Sequence, residues 1–412
     1  MVNQFFTLPK VRQRMRHGPL EPYIDGFATT LGQQGYSREF ARFQIRWVAN
    51  FSRWLQRQEL HARDINAQRV AGYMDYRRRR SRPRSGEHSI PRRFLALLRS
   101  KGLVPPEAPP PMETARQREE ADFGRYLSEE RGLSRATLLN YLPIVRRFLA
   151  ECFGQKPLRF DQLVARDIPR YVQRHAHDLG AKRAGLMVTT LRSFLRYLRH
   201  QGRIATDLAA AVPVVASWRL SSLPKFLPID QVQRILEGCN RQTPGGRRDY
   251  AILMLLARLG LRAGEVVSLT LDDIRWDAGE IAVQGKGLRQ SRLPLPREVG
   301  QALTDYLQKG RPPCSSRRFF IRDHAPRQGF ANSVAVSTLV RRALERAGVS
   351  SACKGAHLFR HSLATHMLRR GASLADIGDL LRHRGINTTA IYAKVDMEAL
   401  RPLAQLWPGG VR

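Results

Sequence analysis

Six side chains in the C-terminal part of this sequence have types and an order suited to chemistry on a phosphate group. They are Arg262, Lys286, His357, Arg360, His383 and Tyr392. A guanidinium binds phosphate oxygens through two parallel hydrogen bonds, while histidine and lysine can carry a proton near neutral pH. Taken singly, each residue also has an ordinary structural explanation, such as a helical ion pair, a capping histidine or a buried tyrosine.

Two local patterns make these positions more informative. Lys286 lies between two glycines in a chain that has 9 lysines and 61 arginines, so a lysine here introduces a cation that can release its proton. His357 and Arg360 are three residues apart, which on a helix predicts that they share one face. Glu265 follows Arg262 by the same spacing and is expected to support that arginine.

The composition indicates an anionic partner. The 412 residues carry 70 Lys and Arg against 35 Asp and Glu, a formal charge of +35, so nucleic acid is the first candidate and a membrane surface the second. The sequence has no apolar run of about 20 residues and no signal peptide, which predicts a soluble protein of the cytoplasm, associated with the bacterial nucleoid. Four scattered cysteines predict neither disulfides nor a zinc site, and we expect no metal and no cofactor.

Proline-rich and aperiodic segments divide the chain. We predict a helical unit at 1–103, a proline-rich linker at 104–112, a second helical unit at 113–212, a linker at 213–224 and a third domain at 225–412. Three short blocks of the first unit recur in the second, for example RRFLALLRSKG from Arg92 and RSFLRYLRHQG from Arg192. The repetition predicts two related helical bundles, each with an amphipathic helix after a serine cap at Ser37 or Ser134.

The third domain is predicted to be α+β. Asp230 is expected to cap its first helix, a helix is expected over 249–274, and a hairpin over 279–296 carries Lys286 near its turn. The basic run of the first unit, Arg77, Arg78, Arg79 and Arg80, either forms a solvated helix end or contacts DNA phosphates; in so basic a chain we favour phosphate contact.

The six residues, in this order and with the flanking blocks GLRxxE, GKG, HxxR and TTxxY, resemble the tyrosine recombinase (phage integrase) family. The resemblance covers about 225–412, and the second unit resembles the family's helical core-binding domain. It implies a mainly α fold with a small β-sheet in the catalytic domain. Arg382 departs from the glycine that is usual before the histidine, and the first helical unit is an addition to the simplest members.

The resemblance also implies a mechanism. Arg262 and Arg360 would hold the phosphate oxygens, Tyr392 would be the nucleophile, and His357 would accept its proton. Lys286 would protonate the leaving 5'-oxygen and His383 would hydrogen-bond a nonbridging oxygen. His361 and His366, on the same helix as His357, are expected to pack or to contact the DNA backbone.

Several functions share these features. We expect a site-specific recombinase that integrates, excises or resolves a mobile element through a 3'-phosphotyrosyl intermediate. A type IB topoisomerase or resolvase, and an architectural DNA-binding protein without catalysis, are the alternatives. The expected partners are double-stranded DNA, further copies of the chain in a tetramer on two synapsed sites, and possible accessory proteins. A C-terminal helix after Tyr392 would be exchanged between protomers.

Overall fold

The computed structural model describes residues 2–84, 86–105, 114–215, 224–285, 290–383 and 385–395. Lys286, most of the proline-rich linker and the tail after Val395, including the predicted C-terminal helix, therefore lie outside the described residues. Residues Met1–Pro106 and Ser222–Arg412 form one compact unit, and Glu107–Ser221 form another. None of the described helices is long and apolar enough to cross a membrane.

The described residues are mainly helical, as predicted. The N-terminal segment contains α1 (Pro9–Met15), α2 (Glu21–Gln33), α3 (Arg38–Arg57), α4 (Ala67–Arg78) and α5 (Ser89–Ser100). The second segment contains α6 (Ala115–Glu129), α7 (Arg135–Phe153), α8 (Asp167–Ala176) and α9 (Ala181–His200). The C-terminal segment contains α10 (Ile229–Glu237), α11 (Pro244–Arg258), α12 (Ala263–Ser268), β1 (Ile274–Arg275), β2 (Glu280–Gln284), β3 (Gln290–Pro294), α13 (Arg297–Lys309), α14 (Val334–Arg346), α15 (His357–Arg369), α16 (Leu374–Leu381) and α17 (Ile386–Thr389).

The two predicted serine caps are confirmed. The Ser37 side chain accepts a hydrogen bond from the backbone N–H of Phe40 at the start of α3, and Ser134 accepts one from Thr137 at the start of α7. Each cap satisfies one of the free N–H groups of the first helical turn. Both helices then bury the apolar face that their sequence periodicity predicts.

The core of the N-terminal segment contains a buried carboxylate. Glu87 is 2% exposed and accepts a hydrogen bond from Nε1 of Trp47 at 3.1 Å. The same carboxylate pairs with Nε of Arg77 at 2.6 Å and accepts the backbone N–H of Arg84 at 3.1 Å. Helices α3 and α4 and the loop that precedes α5 are therefore joined through one acidic side chain.

The N-terminal segment also contacts the C-terminal segment within their shared unit. The backbone N–H of Arg327 donates to the carbonyl of Gln34 at 2.8 Å, and Ala325 packs against the N-terminal core. At the next residue, Gly35 has φ +73°, and a Cβ there would lie 2.4 Å from Cδ of Arg327. A glycine is required because both the backbone conformation and the close approach exclude a side chain.

The predicted hairpin is confirmed. β2 pairs with β3 in antiparallel register, with Ile281 opposite Leu293, and β1 adds a short third strand on the other side of β2. Ile281, Val283 and Leu293 are buried. The sheet therefore presents an apolar face to the core of the C-terminal segment and fixes the two strands that flank Lys286.

Two local predictions are wrong. The segment 249–274 is not one helix, because α11 ends at Arg258 and Gly260 adopts φ +58° before α12 begins. Asp230 is not a cap, because Pro228 takes the cap position with an extended backbone and α10 begins at Ile229. Asp230 instead lies in the first turn, where a negative charge favours the helix dipole.

Replacing Glu87 by alanine should destabilise the N-terminal segment by about 3 kcal/mol, because it removes the acceptor of a buried indole N–H and the partner of a mostly buried guanidinium. Urea unfolding followed by tryptophan fluorescence measures the loss. Glu39→Ala is the matched control, because Glu39 is an exposed carboxylate in the same segment. Its free energy of unfolding should change by less than about 1 kcal/mol, and equal effects of the two variants would contradict the buried role of Glu87.

Candidate active site

Arg360 is the most deeply buried of the predicted site residues that carry a charge. Its side chain is 3% exposed and donates from Nη1 to the carbonyl of Gly260 at 2.6 Å and from Nη2 to the carbonyl of Leu381. Burial, followed by repulsion from Arg262 and Arg382, lowers the pKa of Arg360 to about 10. A cation held in this environment would be stabilised further by an anion nearby.

The approach of Arg360 depends on the backbone turn between α11 and α12. Gly260 has φ +58°, and a Cβ there would lie 2.6 Å from Cδ2 of Leu381. A side chain at this position would be strained by the positive φ and would press on the buried side chain of Leu381. In the GLR motif, Gly260 is therefore needed for the backbone turn, and Arg262 is the candidate for contact with the phosphate.

Arg262 caps α12 and is held by Glu265. Its backbone N–H donates to Oε2 of Glu265 at 2.8 Å, and its Nη1 donates to Oε1 at 2.7 Å. Nη2 of Arg382 donates to the same Oε2 at 2.8 Å. The structure places Glu265 against Arg262, as expected, and adds Arg382, to which the sequence assigned no role.

Arg262 lines an open cleft of about 440 Å³. Other lining residues include Glu265, His357, and Gln284 and Gly285 at the end of β2, immediately before Lys286. The cleft therefore brings together the start of α12, the start of α14, the start of α15 and the end of β2. Lys286 itself lies outside the described residues.

His383 follows the end of α16. Its Nδ1 lies 2.7 Å from Oγ1 of Thr389, and its ring is half-buried and lies parallel to the ring of Tyr392 with centroids 6.4 Å apart. Burial, followed by the positive charge of Arg360 and Arg262, lowers the pKa of His383 to about 4. The imidazole is therefore neutral at pH 7.

Tyr392 is 1% exposed, and its hydroxyl lies 2.9 Å from Nδ1 of His361. Burial raises the pKa of Tyr392 to about 12. Burial, with nearby His357 and Arg360, lowers the pKa of His361, so a neutral imidazole faces a neutral phenol. The phenol can donate a hydrogen bond to this nitrogen.

The contact of His361 with Tyr392 was not predicted, since His361 was expected only to pack or to contact the DNA backbone. One signal was available: His361 lies four residues after His357, so the two share a helix face. Their ring centroids are 6.3 Å apart. His357 and Arg360 lie three residues apart within α15, as expected, but they differ in burial: His357 is exposed at the first position of the helix, whereas Arg360 is buried.

The basic run at the end of α4 is divided in its roles. Arg77 pairs with buried Glu87 and is only 20% exposed, so it is part of the N-terminal core. Arg78 pairs with Asp75 at the surface, Arg79 is exposed, and the guanidinium of exposed Arg80 lies 4.5 Å from the ring centroid of Tyr76. Arg78, Arg79 and Arg80 are thus the exposed members of the run.

Comparisons with known proteins show the family of the chain. The family model described as "Phage integrase family" matches residues 225–399, and the model "Phage integrase, N-terminal SAM-like domain" matches residues 121–202. A putative integrase/recombinase of Sinorhizobium fredii, y4rA, is 46% identical over 409 residues, which cover 99% of this chain and 98% of that relative. The tyrosine recombinase XerD of Listeria monocytogenes is 31% identical over 284 residues, 66% of this chain and 93% of XerD.

Solved structures share the fold. The XerH site-specific recombinase, in a post-cleavage complex with its palindromic difH substrate, has a TM-score of 0.57 and 18% identity, with 71% of this chain and 87% of XerH covered. A lambda integrase tetramer bound to a Holliday junction has a TM-score of 0.51 and 19% identity, with 76% of this chain and 87% of the integrase covered. At such identities the likeness establishes the fold.

The neutral His383 predicts how stability depends on pH. The pKa of His383 is lowered to about 4 in the folded protein and is about 6.5 in the unfolded chain, so the unfolded chain binds this proton first as pH falls. The contribution of neutral His383 to the free energy of unfolding is therefore fully present above about pH 6.5 and is lost as pH falls towards 4. We expect the Tm of the wild type to fall between pH 7 and pH 4.5, and that of His383→Gln to fall less steeply. His177→Gln, at an exposed histidine, should follow the wild type. Calorimetry across this pH range measures all three, and equal slopes for wild type and His383→Gln would contradict the assignment.

Proposed function

The chain belongs to the phage integrase family of tyrosine recombinases, and we propose from that premise that it cleaves and rejoins double-stranded DNA at specific sites through a 3'-phosphotyrosyl bond. The observation that carries the proposal is the clustering of Arg360, Arg262 and His383 with the buried phenol of Tyr392. Cationic groups that are held rigidly before the substrate arrives stabilise charge that develops on a phosphate during attack.

In this proposal Arg262 and Arg360 stabilise the pentacoordinate phosphorus transition state. Arg262 lines the cleft and is held by Glu265, so its guanidinium is available at the surface. Arg360 lies beneath it and is fixed by the carbonyls of Gly260 and Leu381. His383, neutral and partly exposed, supplies a hydrogen bond to a nonbridging oxygen.

The nucleophile requires a change of position before it can act. Tyr392 is 1% exposed, and a phenol in that setting cannot reach the phosphate of a bound duplex. We therefore assign the contact with His361 to the resting enzyme. During cleavage the phenol would move towards the cleft, where His357 is exposed and can accept its proton.

The reaction conserves the energy of the broken bond. The Tyr392 oxygen forms a bond to phosphorus, the bond to the 5'-oxygen breaks, and Lys286 supplies the proton that makes this leaving group a 5'-hydroxyl. A 5'-hydroxyl from a second DNA strand then attacks the phosphotyrosyl bond and regenerates the phenol. The exchange thus needs no hydrolysis of ATP.

The remaining parts of the chain serve DNA binding and assembly. The segment 113–212 would act as the core-binding domain, and Arg78, Arg79 and Arg80 would contact phosphates from the N-terminal segment. Four copies would act on two synapsed sites, with the tail after Tyr392 exchanged between protomers and with accessory proteins where the site requires them. We place the protein in the cytoplasm on chromosomal DNA, as the integrase or transposase of a mobile element.

Tyr392→Phe should abolish covalent attachment to DNA and leave DNA binding unchanged within about twofold, because it removes one hydroxyl from a buried ring. The measurement is capture of denaturant-resistant protein–DNA adducts on nicked duplexes from the sequence that flanks the gene. Tyr306→Phe is the control, since Tyr306 is another buried tyrosine and its hydroxyl accepts the backbone N–H of Ile321. Adducts in the Tyr392→Phe protein would rule out this nucleophile, and binding without any wild-type adduct on a proven recombination site would favour an architectural protein.

The two histidines of α15 should differ in their effect on cleavage. His357→Gln should slow adduct formation by about 10²- to 10⁴-fold because it removes the proton acceptor, whereas His361→Gln should change the rate by less than about tenfold because it alters the resting contact. Rates are measured at saturating duplex from pH 6 to pH 9. If His361→Gln proves the more damaging and abolishes the pH dependence, the proton passes to His361 instead.

A further inference from the structure

Arg382 has a backbone conformation that arginine adopts rarely. It caps the C-terminal end of α16 with φ +55° and ψ +51°, the left-handed region in which glycine is the usual residue. Glu59 is the other non-glycine residue with positive φ among the described residues. Arginine at such a position requires a compensating interaction of its side chain.

The side chain of Arg382 supplies that interaction inside the site. It is 10% exposed, and its Nη2 donates to Oε2 of Glu265 at 2.8 Å while Nη1 donates to the carbonyl of Leu380 at 3.2 Å. Its Nε is buried and has no hydrogen-bond partner among the described residues. One carboxylate, 4% exposed, therefore holds the guanidinium of Arg262, three residues before it, and that of Arg382, 117 residues after it.

The sharing of Glu265 by two arginines changes the net charge next to the cleft. If Glu265 faced Arg262 alone, its negative charge would oppose the guanidinium of Arg262 at the cleft. Arg382 shares the carboxylate and leaves an excess of positive charge around Arg262 and Arg360. The lowered pKa of Arg360, to which burial contributes most and Arg262 and Arg382 follow, reflects this crowding of cations.

The bond between Arg382 and Glu265 also joins the segment that contains Arg262 to the segment that contains His383. Arg360 already links Gly260 to Leu381. Arg382, the residue immediately before His383, adds a second link through its bond to Glu265. The positions of Arg262 and His383 relative to each other are thus fixed by two arginine bridges. Displacements of about 1 Å in such groups reduce rates severely.

We propose that Arg382 is a positioning residue for DNA cleavage, which acts through Glu265 to keep Arg262 oriented and close to His383 for the scissile phosphodiester. The inference rests on the proposed function. Arg382 touches neither the phosphate nor the nucleophile in this role. A residue that only ends α16 would affect stability but would not depend on the charge of Glu265.

A double-mutant cycle tests the proposal on the duplex from which wild-type adducts are recovered. The variants are Arg382→Gly, Arg382→Lys, Glu265→Gln and the double variant Arg382→Gly with Glu265→Gln. We expect Arg382→Gly to slow adduct formation at saturating DNA roughly 10- to 100-fold with less than about a threefold change in the half-saturating concentration. Arg382→Lys should restore part of the rate, and Arg382→Gly should have less than about a threefold effect once Glu265 is glutamine.

Glu59→Gly is the matched control, because it also places glycine at a left-handed position, and this position is far from any site residue in sequence. Its rate of adduct formation should equal that of the wild type. An Arg382→Gly protein with the wild-type rate would overturn the proposal. So would an equal loss from Arg382→Gly in both Glu265 backgrounds, since the residue would then act without the carboxylate.

Thermal unfolding of the wild type, Arg382→Gly, Glu265→Gln and the double variant needs no DNA and separates this proposal from the proposed function. Non-additive Tm shifts support the pairing of Arg382 with Glu265, and additive shifts overturn it. If no wild-type adduct forms on a proven recombination site, the proposed function fails while the unfolding cycle still decides the pairing.

Discussion

A guanidinium buried between two helix ends is the interaction on which the rest of the site depends. Removing a cation from water is unfavourable unless hydrogen-bond acceptors and negative charge replace the solvent. Arg360 finds its acceptors at Gly260, just beyond the C-terminus of α11, and at Leu381, the last residue of α16. Helix C-termini carry unpaired carbonyls and partial negative charge, so both ends suit a buried cation.

This constraint explains why the site is built from helix ends. Because Arg360 needs both carbonyls, α11 must stop before Gly260 and α16 must stop at Leu381. The residues that follow each stop are then brought together: Arg262 with Glu265 on one side, and Arg382 with His383 on the other. The cluster of cations is held by the fold before any phosphate arrives, and the phenol of Tyr392 is packed beside it in a neutral form.

The features that could be predicted from sequence are local ones. The caps at Ser37 and Ser134, the hairpin around Lys286 and the start of α15 near His357 each depend on a few neighbouring residues. The order of the six candidate residues also indicates the family without any knowledge of their distances. The proline at the cap position of α10, Pro228, was not predicted, although it too is local, because Asp230 offers a stronger capping side chain in isolation.

The features that could not be predicted depend on contacts between distant segments. Helical periodicity places His357 and Arg360 on one face, but it does not indicate that His357 is exposed while Arg360 is buried between the carbonyls of Gly260 and Leu381. The contact of His361 with Tyr392 and the bond of Arg382 to Glu265 join residues 31 and 117 positions apart.

The N-terminal segment extends the same argument to whole domains. Its sequence blocks repeat those of 113–212 and predict related bundles, yet Gln34 and Gly35 meet Arg327, and Ala325 packs on the N-terminal core. Side-chain periodicity reports which face of a helix is apolar but not which partner covers the surface outside that face. The apolar face of each helix in the N-terminal segment could therefore be predicted, whereas its contact with Ala325 and Arg327, in the unit that contains the cation cluster, could not.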